Sequence, residues 1–94
     1  MLEKVPIFLK NLKKEDIDKE VLRLGMIAEL DAITLYEQLA AATDNGDLKK
    51  VFLDIAKEEK THMGEFQTLL LRIDKEQVEE LKEGEEEVKE LLEK

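Results

Sequence analysis

Hydrophobic residues recur every three or four positions along most of the chain, which is the spacing of amphipathic α-helices. The stretch VLRLGMIAELDAITLYEQLAAA predicts a first helix over 16–43, with Asp16 or Asp18 available to cap its start. The following TDNGD has the composition of a turn, and Asp47 could cap a second helix over 47–73. The chain therefore begins with two long helices joined by a very short turn.

A third, shorter helix is predicted over 74–92, where Asp74 and Gln77 form a capping-box pattern. Residues 1–15 form an N-terminal segment, and 1–94 is expected to be a single domain because a chain of 94 residues is too short for two. Apolar residues at heptad-like spacing predict a packing stripe on the third helix: Val78, Leu81, Val88 and Leu92. We expect this helix to hold subunits together, and its acidic run from Glu83 to Glu87 to face solvent.

The first two helices are each about 26 residues long, or roughly 40 Å at the helical rise per residue. With so short a turn between them, they must fold back as an antiparallel hairpin. One hairpin cannot bury two long apolar faces, so the sequence predicts an all-α protein that associates with itself.

A glutamate lies in the middle of the apolar stripe of the second helix. At 100° per residue, the positions within about 60° of Glu59 are almost all apolar. They are Leu48, Phe52, Ile55, Ala56, His62, Met63, Phe66, Leu70 and Ile73. His62 is the single histidine of the chain, and the neighbouring Glu58 points off this stripe.

The first helix repeats this arrangement around Glu29. Its stripe contains Leu22, Gly25, Met26, Ala32, Ile33, Tyr36 and Ala40. In an antiparallel hairpin, residues equally distant from the turn lie level with each other, and 44 is midway between 29 and 59. Glu29 and Glu59 should therefore meet at one height, with His62 within one turn of it.

Two carboxylates on buried stripes need a partner, because a buried unpaired charge costs several kcal/mol. Neither stripe carries a lysine or arginine near them, which leaves a shared proton or a cation. The chain has no cysteine, so thiolate zinc and iron–sulfur sites are excluded. A formal charge of -9 also favours cations over nucleic acid or an anionic membrane surface as partners.

Glu29, Glu59 and His62 are half of a known ligand set. Di-iron carboxylate bundles take a lone glutamate from each of two helices and a Glu-x-x-His pair from each of the other two. A two-fold homodimer of hairpins would supply the complete set, and its carboxylate and imidazole ligands suit iron or manganese, with zinc as a rival. Such a site with an open coordination position would admit oxygen or peroxide, while the apolar lining limits water.

The stretch IAELDAITLYEQLA, followed thirty residues later by AKEEKTHMGEF, resembles the encapsulated ferritins, especially the ferritin-like domain joined to the shell protein of some archaeal encapsulins. The resemblance covers roughly residues 18–92. It implies a ferritin-like four-helix bundle completed by dimerisation, with dimers assembling into an annular decamer inside an encapsulin shell.

The resemblance also implies an activity and a site. The family's iron ligands match Glu29, Glu59 and His62, which would oxidise ferrous to ferric iron for iron storage, with two irons per dimer and manganese, zinc or calcium as substitutes. Tyr36 matches a family tyrosine near the centre. Many relatives carry an acidic residue where this chain has Ala28, and Asp31 could retain part of an accessory site. The C-terminal EEEVKELLEK does not match the docking peptide of free-standing cargo proteins.

Two other functions fit the same residues. A rubrerythrin-like di-iron peroxidase or oxygen-scavenging protein uses similar ligands, although rubrerythrins usually add a cysteine-ligated iron. A non-enzymatic helical oligomer with shared protons on its buried glutamates is the third reading. No stretch has the length of a signal peptide core or a membrane span, so we expect a cytoplasmic protein, within an encapsulin nanocompartment if the resemblance holds.

Overall fold

A computed structural model of the chain describes residues 12–93, which form three α-helices and no strand. Helix α1 spans Lys14–Ala42, α2 spans Gly46–Ile73 and α3 spans Lys75–Leu92. Each observed bound lies within two residues of the predicted one, and the all-α prediction is confirmed. Residues 1–11, most of the predicted N-terminal segment, lie outside the described residues.

The start of α1 differs from the prediction. Lys13 is the N-cap residue and makes no side-chain capping bond, so Asp16 and Asp18 lie inside the helix and do not cap it. The helix extends further because the backbone N–H groups of Asp16 and Ile17 both donate to the Lys13 carbonyl, at 2.9 and 3.1 Å. The two aspartates remain near the positive end of the helix dipole, where negative charge is favourable.

The cap of α2 is Asn45, and the prediction that Asp47 caps this helix is wrong. The Asn45 side-chain oxygen accepts hydrogen bonds from the backbone N–H groups of Asp47 and Leu48, at 2.9 and 3.1 Å. Gly46 adopts helical geometry, so the helix begins one residue earlier than predicted. Asp47 then lies in the first turn, where its charge favours the helix without capping it.

Contacts between α1 and α2 show the register of the hairpin. The rings of Tyr36 and Phe52, which are equally distant from residue 44, stack with centroids 6.2 Å apart. Further from the turn, a Cβ atom at Gly25 would lie 3.3 Å from the ring of Phe66, so the glycine permits close approach of the helices. Near the turn, the Lys49 ammonium donates to the carbonyl of Ala40 at 2.7 Å.

The hairpin buries little apolar surface by itself. Within residues 12–93, the buried apolar residues are Ala40, Ala56 and Leu70, and none of the large side chains is completely buried. Many large apolar side chains are more than one-third exposed: Val21, Leu30, Leu35, Leu39, Leu48, Val51, Leu53, Leu69, Ile73, Leu81, Val88, Leu91 and Leu92. These are the side chains that the self-association predicted from the sequence would cover, and that association stays a prediction.

One residue, Asp74, forms the corner between α2 and α3. Its side chain accepts from the backbone N–H of Gln77 at 3.0 Å, which confirms the predicted cap of α3. Its own backbone N–H donates to the Leu70 carbonyl at 2.9 Å and closes the end of α2. Nowhere in the described part of the chain is there a helix with the length and apolarity that a membrane crossing requires.

Candidate metal centre

Side chains from α1 and α2 converge at mid-height of the hairpin. Glu29 comes from α1, and Glu59 and His62 come from one face of α2, three residues apart. One ligand atom from each lies within 4.8 Å of the others. His62 Nδ1 is 3.5 Å from Glu29 Oε2 and 3.6 Å from Glu59 Oε2. The three residues that the sequence singles out therefore form one cluster.

The cluster is buried on its carboxylate side and open on its imidazole side. The side chains of Glu29 and Glu59 are 17% and 20% exposed, whereas that of His62 is 45% exposed. Glu29 Oε2 is buried and has no hydrogen-bond partner among residues 12–93, although His62 Nδ1 lies 3.5 Å away. A buried oxygen without a partner destabilises the fold, and a cation bound between the three ligand atoms would supply that partner.

No lysine or arginine within residues 12–93 forms an ion pair with Glu29 or Glu59. The ion pair that joins the two long helices, between Lys60 and Glu37 at 2.9 Å, involves neither of them. The charge of these two carboxylates can therefore be offset by a proton, a metal ion or His62.

The donor set fits a metal ion of the iron or manganese type. Two carboxylate oxygens and one imidazole nitrogen are the ligands that these ions take, and the chain has no cysteine to offer a thiolate. Three ligands do not fill the coordination of two such ions. The half-exposed His62 marks the side on which further ligands would have to arrive, which is where a second copy of the chain could add its own three.

Of the two predicted accessory residues, Asp31 is not a member of the cluster, and Tyr36 packs elsewhere on the hairpin. Tyr36 stacks on Phe52, two helical turns nearer the hairpin turn, and its hydroxyl makes no hydrogen bond within the described residues. Asp31 is partly buried and forms no ion pair there. The predicted roles of Tyr36 near the metal and of Asp31 in an accessory site remain predictions.

Two further features of the structure are missing from the sequence-based expectations. One is a cavity of about 310 Å³ between all three helices. The other is an ion pair at 3.0 Å between Arg23 of α1 and the corner residue Asp74. Apolar residues of α1 outside the Glu29 stripe, such as Ile27 in the cavity lining, were a signal for the cavity, whereas nothing local in the sequence indicates the ion pair.

Comparisons with known proteins point to one group of relatives. The rubrerythrin family model matches residues 20–94. The ferritin-like–encapsulin shell fusion protein of Pyrococcus furiosus is 57% identical over 82 residues, which are 87% of this chain and 24% of that protein. The encapsulin nanocompartment cargo protein EncC of Myxococcus xanthus is 43% identical over 63 residues, which are 67% of this chain and 48% of that protein. The chain thus spans about a quarter and about half of the length of these two relatives.

A solved structure resembles the chain over nearly its whole length. The crystal structure of the encapsulated ferritin domain from Pyrococcus furiosus superposes with a TM-score of 0.83 at 50% sequence identity, covering 97% of this chain and 96% of that one. Fold and sequence agree over the same residues, and they confirm the resemblance seen in the sequence. The chain belongs to the encapsulated ferritin family of ferritin-like proteins.

Proposed function

We propose that the chain is a ferroxidase, which oxidises Fe(II) to Fe(III) at a di-iron site shared by two copies, for iron storage within an encapsulin nanocompartment. The observation that carries this proposal is the buried, unpartnered Glu29 Oε2, which faces His62 Nδ1 at 3.5 Å. A protein that only needed a stable hairpin would gain by replacing this carboxylate with an apolar side chain.

Ferrous iron is the substrate, and the residues of the cluster bind it. Two copies related by a two-fold axis would bring together two each of Glu29, Glu59 and His62. Four carboxylates offset the charge of two divalent ions, and each imidazole adds one neutral ligand while leaving coordination positions open. The iron supplies the electrons, and molecular oxygen is the oxidant that accepts them.

The side chains around the cluster would control access to it. Phe52, Ile55, Met63 and Phe66 share the face of α2 that carries Glu59, and all four are partly buried in the single chain. A second hairpin packed on this face would cover them further and restrict water. Dimerisation would thus complete the ligand set and close the site in one step.

The names of the relatives support a partner for this activity. One is a fusion of a ferritin-like part to an encapsulin shell, and the other is an encapsulin cargo protein. We extend this to the present chain as an annular homo-oligomer, a decamer by its family resemblance, that works inside an encapsulin shell in the cytoplasm. Whether the chain is a domain of such a fusion or a separate cargo decides how it reaches the shell.

The test is aerobic oxidation of ferrous iron, followed by the absorbance of the ferric product. Glu59→Ala should reduce the rate to that of iron in buffer, because it removes one of three ligands. Glu58→Ala is the matched control, since Glu58 is an exposed glutamate on the same helix turn. Equal rates for Glu59→Ala and the unchanged chain would refute the proposal.

A peroxidase is the second candidate, because the matching family model is that of rubrerythrin. A rubrerythrin-type enzyme would oxidise its reduced iron faster with hydrogen peroxide than with oxygen. Stopped-flow measurement of anaerobic Fe(II)-loaded protein against each oxidant separates the two candidates. A clear preference for oxygen supports the ferroxidase, and a clear preference for peroxide supports the alternative.

A further inference from the structure

His62 is the least firmly held of the three residues in the cluster. Its side chain is 45% exposed, and its Nδ1 atom lies 3.5 Å from Glu29 Oε2 and 3.6 Å from Glu59 Oε2. Both distances are longer than a usual N–H···O hydrogen bond, and no hydrogen bond within residues 12–93 involves the imidazole. A histidine that binds a metal usually has its ring fixed by a hydrogen bond to its second nitrogen. In the described part of the chain, the orientation of this ring is left to packing.

Phe66 is the aromatic residue one helical turn beyond His62. The two are four residues apart on one face of α2, a spacing at which side chains of a helix contact each other. Helical side chains lean toward the N-terminus of their helix, so the ring of Phe66 covers the turn that carries His62. Phe66 is partly buried, which agrees with a ring that lies against the hairpin.

A contact across the hairpin shows how far this ring leans. In the pairing that sets Glu29 level with Glu59, Gly25 is level with residue 63, which is three residues before Phe66. A Cβ atom at Gly25 would nevertheless lie 3.3 Å from Cδ2 and Cε2 of the Phe66 ring and 3.6 Å from its Cγ. The ring therefore reaches back by about 4.5 Å along the helix axis, toward the metal centre.

Gly25 leaves the space that the ring occupies. A methyl group there would be closer to the ring than an ordinary van der Waals contact, so the ring would have to move by a few tenths of an ångström, away from α1. Gly64, on the same helix as Phe66, has nothing within 4 Å of the corresponding Cβ position. The close approach is thus specific to the glycine that faces the ring.

Phe52 lies at the same distance from Glu59 on the other side of the metal centre. Phe52 and Phe66 are seven residues before and seven residues after Glu59, and both are partly buried. The ring of Phe52 stacks on that of Tyr36, with centroids 6.2 Å apart. Because helical side chains lean toward the N-terminus, Phe52 leans away from the metal centre, whereas Phe66 leans toward it.

We propose that Phe66, seated against Gly25, is a positioning residue for the metal centre, because its ring holds the imidazole of His62 with Nδ1 toward Glu29 and Glu59. Packing here takes the part that a hydrogen bond plays at other histidine ligands. The inference rests on the metal site of the proposed function, and it adds to that site two residues that bind no metal themselves.

Titration of the full chain with Co(II), followed by visible absorption, tests the inference. The d–d bands of Co(II) depend on the positions of its ligands, so they report on the imidazole itself. Phe66→Leu should shift these bands and raise the half-saturating Co(II) concentration about tenfold, as loss of residues that orient metal ligands does. Gly25→Ala should also shift the bands and weaken binding by a smaller factor. This second variant favours the helical backbone, so unfolding would not account for its effect.

Two matched controls should keep the bands and the half-saturating concentration of the unchanged chain. Phe52→Leu makes the same change at the same distance from Glu59, and Gly64→Ala makes the same change at a glycine with free space around it. The double variant Gly25→Ala with Phe66→Leu should bind Co(II) like Phe66→Leu alone, because the methyl group acts only through the ring.

Three outcomes would overturn the inference. The first is a Phe66→Leu variant with unchanged bands, even if it binds Co(II) more weakly, because Phe66 would then support folding or association and not the imidazole. The second is an equal band shift in Phe52→Leu. The third is a double variant in which the two losses of affinity multiply.

Failure of the proposed function is measured separately, as the rate of aerobic Fe(II) oxidation. An unchanged chain that shows Co(II) bands but does not oxidise Fe(II) refutes the ferroxidase, and the band shifts of the variants still decide whether Phe66 positions His62. An unchanged chain without Co(II) bands refutes both proposals.

Discussion

Replacing Glu29 with glutamine should stabilise the metal-free chain while abolishing its stabilisation by metal. The ligand oxygens of Glu29 and Glu59 lie no more than 4.8 Å apart. Two full charges at that distance repel by about 3.5 kcal/mol at an effective dielectric constant of about 20. Both side chains retain some solvent contact and His62 offsets part of the repulsion, so we expect Glu29→Gln to raise the free energy of unfolding by about 1–2 kcal/mol.

The assay is urea unfolding followed by circular dichroism, in a chelating buffer and again with Co(II). The unchanged chain should unfold at a higher urea concentration when Co(II) is added, because the metal binds only the folded state. Glu29→Gln should start from a higher midpoint and gain nothing from the metal. For a domain of this size, the metal-free difference corresponds to at least about 4 °C in melting temperature.

Glu37→Gln is the matched control, since Glu37 lies on the same helix in an ion pair with Lys60 that is about half exposed. Loss of an exposed pair changes stability by less than about 1 kcal/mol and should leave the metal effect intact. The reasoning fails if metal-free Glu29→Gln is less stable than the unchanged chain. It also fails if Co(II) stabilises both equally.

Four further substitutions test the hairpin. Asn45→Ala should lower the free energy of unfolding by about 1 kcal/mol, because it removes both side-chain hydrogen bonds that cap the start of α2. Asp47→Ala should lower it clearly less, and the midpoints of urea unfolding curves of equal slope measure the difference. Leu70→Ala should cost about 2–5 kcal/mol because Leu70 is 2% exposed, and a thermal melt within 3 °C of the unchanged chain would show that the site is not core. Tyr36→Phe keeps the stacking on Phe52 and loses no hydrogen bond within the described residues. The free energy of unfolding without metal should therefore change by less than about 0.5 kcal/mol, and a larger loss would show that the hydroxyl has a hydrogen-bond partner.

The convergence of the site was predictable because it depends on two regular quantities. The helical period places Glu59 and His62 on one face, and the short turn fixes which residue of α1 stands opposite. An error of one or two residues in the helix ends changes neither the helical period nor the position of the turn, so the predicted pairing of Glu29 with Glu59 is unaffected. The stacking of Tyr36 on Phe52 shows the same register two turns nearer the turn.

The helix caps were less predictable because neighbouring polar residues compete for one position. Asn45 and Asp47 both follow the rule for a cap, and the conformation of Gly46 decides between them. At α1, the backbone of Lys13 closes the first turn without any side chain, so the aspartates that the rule favours are not used. In each case the local rule identifies the region but not the residue.

The ion pair between Arg23 and Asp74 could not be predicted from the sequence, because it depends on the direction in which α3 leaves α2. That direction is set at one residue, Asp74, whose buried carboxylate meets Arg23 51 positions earlier in the chain. Heptad spacing on α3 indicates that the helix has an apolar stripe, but spacing contains no information about where the stripe points.

The face of the hairpin that carries Glu29 and Glu59 has excess negative charge, so its association with a second copy should depend on cations and should be reversed by chelation. The exposed leucines of the chain, by contrast, gain free energy from burial whether or not a metal is present. Mass measurements in solution with Co(II) and with a chelator separate these two contributions. A mass that falls on chelation supports association through the charged face, and a mass that chelation leaves unchanged contradicts it.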